Sequence, residues 1–229
     1  MTNTTIAETN ARNTWLKLLA IIAMIFDHAV YGWIIHHNLH TEYWQGWRSP
    51  GRICIPIFSY LIAWNMAHNT RNPPRYATRL AIMAIISEPI YWLYFGYNGN
   101  AFIPLAAGAI AIIAIQNRNI WLLALTALLT AAIAHACQDA TIIAQTALTG
   151  TAYLWITTQR PAALLASLAL MPALNGLCIP FTLMIPITIA LIAWAMHGPA
   201  TRPIRLHKAM FYAFYPLHLL ALLLVWGPA

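Results

Sequence analysis

The chain has 229 residues, of which 61% are hydrophobic and only 7% charged. A soluble domain carries roughly 25% charged residues, so with a mean hydropathy of +0.64 this composition argues against an ordinary soluble domain and for an integral membrane protein. The formal charge is +7, from 12 Lys and Arg against 5 Asp and Glu. The basic residues stand in short gaps between apolar runs, which makes membrane topology and anionic ligands better readings than a nucleic-acid surface.

Residues 1–14 read as a polar tail. Nine apolar segments follow, at about 15–36, 52–68, 76–96, 101–116, 120–136, 140–157, 161–177, 179–197 and 207–226. They predict an all-α polytopic membrane protein, a bundle of about nine transmembrane helices (eight to ten) in one domain over 15–229. The first segment has no small-residue cleavage site after it and reads as a retained helix, not a cleaved signal. With the N-terminus in the cytoplasm, Arg12, Lys17, Arg71, Arg75, Arg79, Arg118, Arg160, Arg202, Arg205 and Lys208 share one side, leaving only Arg48 and Arg52 on the other. That asymmetry is the positive-inside pattern. The cysteines Cys54, Cys137 and Cys178 are far apart beside apolar segments. They form no metal or disulfide spacing and read as small packing residues.

Two gaps are unusually basic: HNTRNPPRYATR (68–79) and HGPATRPIRLHK (197–208). The plain reading is topology. The functional reading is a polyanion, such as the phosphates of a nucleotide cofactor, held by Arg71, Arg75, Arg79, Arg202, Arg205 and Lys208. Ionisable groups inside apolar segments are costly and tend to be functional. Asp27 and His28 lie in the first segment, Glu88 in the third just before Pro89, and His218 in the last, two residues after Pro216. Arg52 opens the second segment and Asn65 lies near its other end.

Asp27, His28, Glu88 and His218 thus fall near one level. They could satisfy one another's charges as a structural tie, or form a proton-handling site. Adjacent helical residues point about 100° apart, so Asp27 and His28 serve different partners. His28 is the expected reactive group, with Asp27 orienting His218 or Arg52. The prolines Pro89, Pro172, Pro180, Pro186 and Pro216 suggest broken helices around a cavity. In HHNLH, His36 and His40 have helical i,i+4 spacing suited to a metal. No further motif surrounds them, and no metal is expected.

LKLLAIIAMIFDHAV (16–30), GRICIPIFSYLIAWNMAH (51–68) and MFYAFYPLHLLAL (210–222) together resemble TraX, the pilin N-acetyltransferase family of conjugative plasmids. The resemblance covers almost the whole chain. It rests on Asp27, His28, Gly51, Arg52, Pro56, Tyr215 and His218. It implies a membrane acyltransferase of the bacterial inner membrane that moves an acetyl group from cytosolic acetyl-CoA to the N-terminal amine of a processed pilin subunit. Coenzyme A, pilin and membrane lipids are the implied partners, with no nucleic acid and no metal. On this reading His28 or His218 is the general base, and the other histidine or Arg52 donates to the thioester oxygen. Asp27 and Glu88 hold these groups, and Asn65 and Tyr215 join the basic residues in binding the donor. A proton-coupled transporter would share the buried ionisable groups, and a non-catalytic scaffold of pilus assembly would share the topology. The transporter leaves the two basic gaps unexplained, and the scaffold leaves the ionisable groups at one level unexplained.

Overall fold

The computed structural model describes residues 3–39, 45–175, 182–204 and 208–228. His40, Cys178, Pro180 and Arg205 lie outside them. The described residues form nine α-helices and no strand: α1 (Asn3–His36), α2 (Cys54–His68), α3 (Pro73–Phe95), α4 (Phe102–Gln116), α5 (Ile120–Ala136), α6 (Thr141–Thr158), α7 (Pro161–Leu170), α8 (Ile185–His197) and α9 (Lys208–Trp226). A 3₁₀ segment, Gln45–Ile53, leads into α2.

Local chemistry sets the helix ends. The Asn72 side chain accepts the Arg75 N–H at the start of α3, where Pro73 and Pro74 fill the first turn, the position at which proline costs no hydrogen bond. α3 stops at Gly96, whose φ of 75° is the left-handed cap that glycine adopts freely. Asn119 caps α5 by accepting the Leu122 N–H.

The stretch read as a polar tail is helical from Asn3 onward. Arg12, within it, is buried. Its guanidinium donates to the carbonyls of Ala195 (2.9 Å) and Met196 (3.3 Å) at the end of α8.

The main core joins α1, α2, α3, α6, α8 and α9 around fully buried Trp64, Ile57, Leu16 and Leu219. Cys54 is buried and Cys137 half-buried, both as free thiols. Large apolar side chains also stand exposed, among them Trp121 on α5 and Leu224 on α9.

Each of the nine helices overlaps one of the nine apolar segments, with α1 starting earlier, α7 ending earlier and α8 starting later than expected, but the membrane topology built on those segments is not supported. Among the described residues only Thr4–His36 is long and apolar enough to cross a membrane. Phe102–Gln116, Ile120–Ala136, Pro161–Leu174, Ile185–His197 and Phe211–Trp226 are 10–17 residues long. At 1.5 Å per residue a 15-residue helix reaches about 23 Å, short of a hydrocarbon core of about 30 Å. α3 is longer but carries Arg75, Arg79 and Glu88. The bundle of about nine transmembrane helices is therefore corrected to nine helices with one candidate span among the described residues. The multi-pass inner-membrane location and the orientation argued from alternate crossings fall with it. Apolar runs of this length also describe helices packed against one another, and composition does not separate the two cases.

Candidate active site

Asp27 and His28 leave α1 in different directions, as helical geometry requires. Asp27 points at the 3₁₀ segment. Its two carboxylate oxygens accept from Arg48, Nε at 3.0 Å and Nη2 at 2.9 Å. This is the two-pronged geometry that suits guanidinium and carboxylate. Arg52 Nε stands further off, 3.8 Å from Oδ1. Asp27 and Arg48 are both buried, at 4% and 7% exposure. Burial disfavours charge on Arg48, but the Asp27 carboxylate outweighs it and holds the Arg48 pKa above the ordinary arginine value. The guanidinium also lies over the Tyr31 ring, 4.8 Å from its centre.

Gly51 makes this approach possible. A Cβ there would meet the Asp27 side chain and come within 2.7 Å of the Ala23 carbonyl oxygen.

His28 turns instead toward α9. Its Nδ1 lies 2.8 Å from Nε2 of His218, and the two rings lie nearly coplanar, edge to edge, with centres 5.1 Å apart and planes 12° apart. Nδ1 of His218 lies 3.1 Å from the Phe214 carbonyl oxygen, one turn back along α9. Aromatic rings fix the pair: Phe214 stacks on His218 at 4.8 Å, Tyr215 meets His218 edge-on at 5.3 Å, and Phe95 meets His28 edge-on at 5.1 Å. The His28 carbonyl accepts from the Tyr94 hydroxyl at 2.7 Å, tying α1 to α3. A buried, hydrogen-bonded imidazole pair can accept and return a proton.

A cavity of about 920 Å³ opens beside this pair, at the large end of the roughly 300–1,000 Å³ typical of ligand sites. Its mouth carries Lys17, Arg71, Arg75 and Arg79, and no carboxylate is among its lining residues. Arg75 and Arg79 share a face of α3 at i,i+4, and the positive end of the α3 dipole adds to the same field. Asn65 and Asn69 form one wall of the mouth and are hydrogen-bonded to each other at 3.0 Å.

The interior is apolar, with Phe58, Leu61 and Phe102, and it ends at Phe214 and Tyr215. From Asn65 to Phe58 is about 10 Å along α2. Lys17, Ile21 and Met24 line the cavity from α1. At spacings of three and four residues, His28 is the next member of that stripe. On α9, Phe211, Phe214 and Tyr215 line the cavity, and His218 continues their stripe in the same way.

Not all expected members join this site. Glu88 contacts neither histidine. Its carboxylate accepts from the Gly99 N–H (2.8 Å), the Asn100 N–H (3.2 Å) and the Asn100 side-chain amide. It braces the turn before α4, where the Ala101 N–H reaches the Tyr215 hydroxyl oxygen at 3.4 Å. Asp27 orients Arg48, and stands near Arg52, but does not contact His218. Arg202 is exposed, and its carbonyl accepts from Trp15 Nε1 at 3.2 Å. It does not line the cavity, although Ile204 does. Arg205 is outside the described residues, and Lys208 begins α9. Among the described residues no three His, Cys, Asp or Glu come together as a metal site.

Arg48 is the residue that sequence reasoning missed, because it fell in the gap between the apolar segments 15–36 and 52–68. A signal was present: Arg48 and Arg52 stand four apart around Pro50 and Gly51, in a region otherwise without cations.

These features define a helical protein in which a cation-rimmed cavity ends at aromatic rings that pack on a buried histidine pair. Residues 12–226 match the TraX protein family, and the chain belongs to that family. Membership suggests an acyltransferase-type enzymatic role. No curated protein and no solved structure matches the chain.

Proposed function

We propose that the chain is an acetyl-CoA-dependent N-acetyltransferase acting on the N-terminal amine of a processed conjugative pilin. One observation supports this reading above the others. A single cavity joins a mouth of four cations to the aromatic rings that pack on His28 and His218. Acetyl-CoA has complementary chemistry, with phosphates at one end, a long arm of low charge and a thioester at the other. Its phosphates pair with Arg71, Arg75, Arg79 and Lys17. The arm follows Asn65, Leu61 and Phe58 inward, and the thioester stops near Tyr215.

The acceptor α-amine has a pKa near 8, so a neutral fraction exists at working pH. The amine nitrogen attacks the thioester carbon. The new C–N bond forms, the C–S bond breaks, and coenzyme A leaves as thiolate. The histidine pair takes the proton that the nitrogen loses and returns it to the thiolate, so no covalent enzyme intermediate is needed. Asp27, Arg48 and Arg52 hold the α1 end of the site.

The test is intact mass spectrometry of a pilin peptide with a free N-terminal amine, incubated with the purified full chain and acetyl-CoA. The expected result is a gain of one acetyl group that is absent with a folded His28→Ala variant. No gain, together with no thermal shift on adding acetyl-CoA, overturns the reading.

A further inference from the structure

The two histidines contact each other, yet their surroundings make them chemically unequal. We propose that His218 is a positioning residue that fixes His28 in the tautomer with hydrogen on Nδ1, leaving His28 Nε2 as the atom that takes the proton from the acceptor amine. The chemistry of this proposal rests on the acetyltransferase reading; the tautomer does not.

The reasoning starts at Phe214. Its carbonyl oxygen, 3.1 Å from His218 Nδ1, can only accept, so the hydrogen of His218 is on Nδ1. A neutral imidazole carries one N–H, and His218 Nε2 is therefore a bare acceptor. That nitrogen lies 2.8 Å from His28 Nδ1, which must then be the donor. In the neutral pair His28 has its hydrogen on Nδ1 and its lone pair on Nε2. The opposite assignment, with His218 donating from Nε2 to His28 Nδ1, would keep a hydrogen bond between the rings but set the bare His218 Nδ1 against the Phe214 carbonyl oxygen across 3.1 Å.

The chain of hydrogen bonds therefore runs one way, from His28 Nδ1–H to His218 Nε2, and from His218 Nδ1–H to the Phe214 oxygen. The stacked Phe214 ring and the edge-on Tyr215 and Phe95 rings hold both imidazoles in the required planes. When His28 Nε2 accepts the amine proton, the Nδ1–H bond to His218 is retained and stabilises the imidazolium. Nε2 then returns its proton to the coenzyme A thiolate. An orienting group of this kind is worth a great deal: in a serine protease triad the wrong tautomer lowers kcat about 10⁴-fold.

The first measurement is a long-range ¹H–¹⁵N correlation spectrum of the full chain labelled with ¹⁵N-histidine. His28→Gln and His218→Gln spectra assign the two rings. Both are expected as Nδ1–H tautomers, the less common form of histidine in water. Finding the His28 hydrogen on Nε2 overturns the proposal, and this readout needs no turnover. The second measurement compares His218→Gln, whose amide oxygen can stand where Nε2 stood, with His218→Leu, which removes the acceptor. The glutamine variant is expected to keep most of kcat. The leucine variant is expected to lose about 10²–10⁴-fold, the worth of a general base, with KM for acetyl-CoA unchanged. Equal losses in the two variants overturn the positioning role. If no acetyl transfer occurs in the wild-type chain, the acetyltransferase reading fails while the spectra still decide the tautomer.

Discussion

Asp27 and Arg48, 21 residues apart in sequence, form a buried two-pronged ion pair at 2.9 and 3.0 Å. Neither partner can be removed cheaply, because the other then stays buried with its charge exposed to an apolar interior. Breaking such a pair costs about 3–5 kcal/mol. At roughly 2–4 °C per kcal/mol for a chain of this size, Arg48→Met should lower the melting temperature by about 6–20 °C. Arg52→Met should lower it less, since Arg52 stands 3.8 Å from the carboxylate. Asp27→Asn should recover part of the loss in the Arg48→Met background. Thermal melts of these three variants test this, and equal effects of Arg48→Met and Arg52→Met would refute it. Gly51→Ala should act on the same pair from the other side, at about 1–3 kcal/mol for an overpacked contact.

Glu88 braces a turn and does not touch the histidines, so its substitution should separate stability from chemistry. Glu88→Gln keeps one acceptor oxygen but turns an amide toward the Gly99 and Asn100 donors. A part-buried donor left without its acceptor costs about 1–3 kcal/mol. The expected result is a lower melting temperature with kcat little changed once the folded fraction is matched. A collapse of kcat at unchanged stability would return Glu88 to a direct chemical role.

Arg12 stitches the first helix to the end of α8. Its guanidinium donates to Ala195, Met196 and Pro199 carbonyls and to the Thr9 hydroxyl. These carbonyls have no helical partner beyond the last turn, and a cation there complements the negative end of the dipole. Arg12→Met should cost roughly 1.5–3 kcal/mol, the range for hydrogen bonds to charged groups. Arg12→Lys should not rescue it, because an ammonium cannot span the separated carbonyls as a guanidinium does. Denaturation curves of the two variants decide this, and full rescue by lysine would count against the fork geometry.

Helix positions were legible because apolar runs and their polar gaps survive into the fold: the segment expected at 120–136 is Ile120–Ala136. The segment expected at 161–177 ends at Leu170, since Pro172 cannot continue the helix. What composition could not supply was membrane crossing, because an apolar helix packed on its neighbours reads like one packed on lipid. The histidine pair was legible as two groups at one depth. Glu88, at the same depth, was not separable from them, because depth along a helix says nothing of direction around it. The Asp27–Arg48 pair depends on a 3₁₀ segment folding back on α1, a long-range event without helical or strand periodicity to announce it.

The cavity mouth yields the prediction closest to function. Arg75 and Arg79 are exposed and lie one turn apart on α3, beside Arg71 and Lys17, with no carboxylate among the lining residues. If phosphates bind there, Arg75→Gln and Arg79→Gln together should weaken acetyl-CoA binding about tenfold or more at low salt, since 1.4 kcal/mol is a factor of ten. The difference from wild type should shrink as salt rises, because exposed charges are screened over about 10 Å at 0.1 M. kcat at saturating acetyl-CoA should hold, since neither arginine is near His28. Isothermal titration at two salt concentrations, paired with saturating kinetics, makes the test. Binding that is indifferent to both salt and the double substitution would mean that the anionic end of the donor does not enter by this mouth.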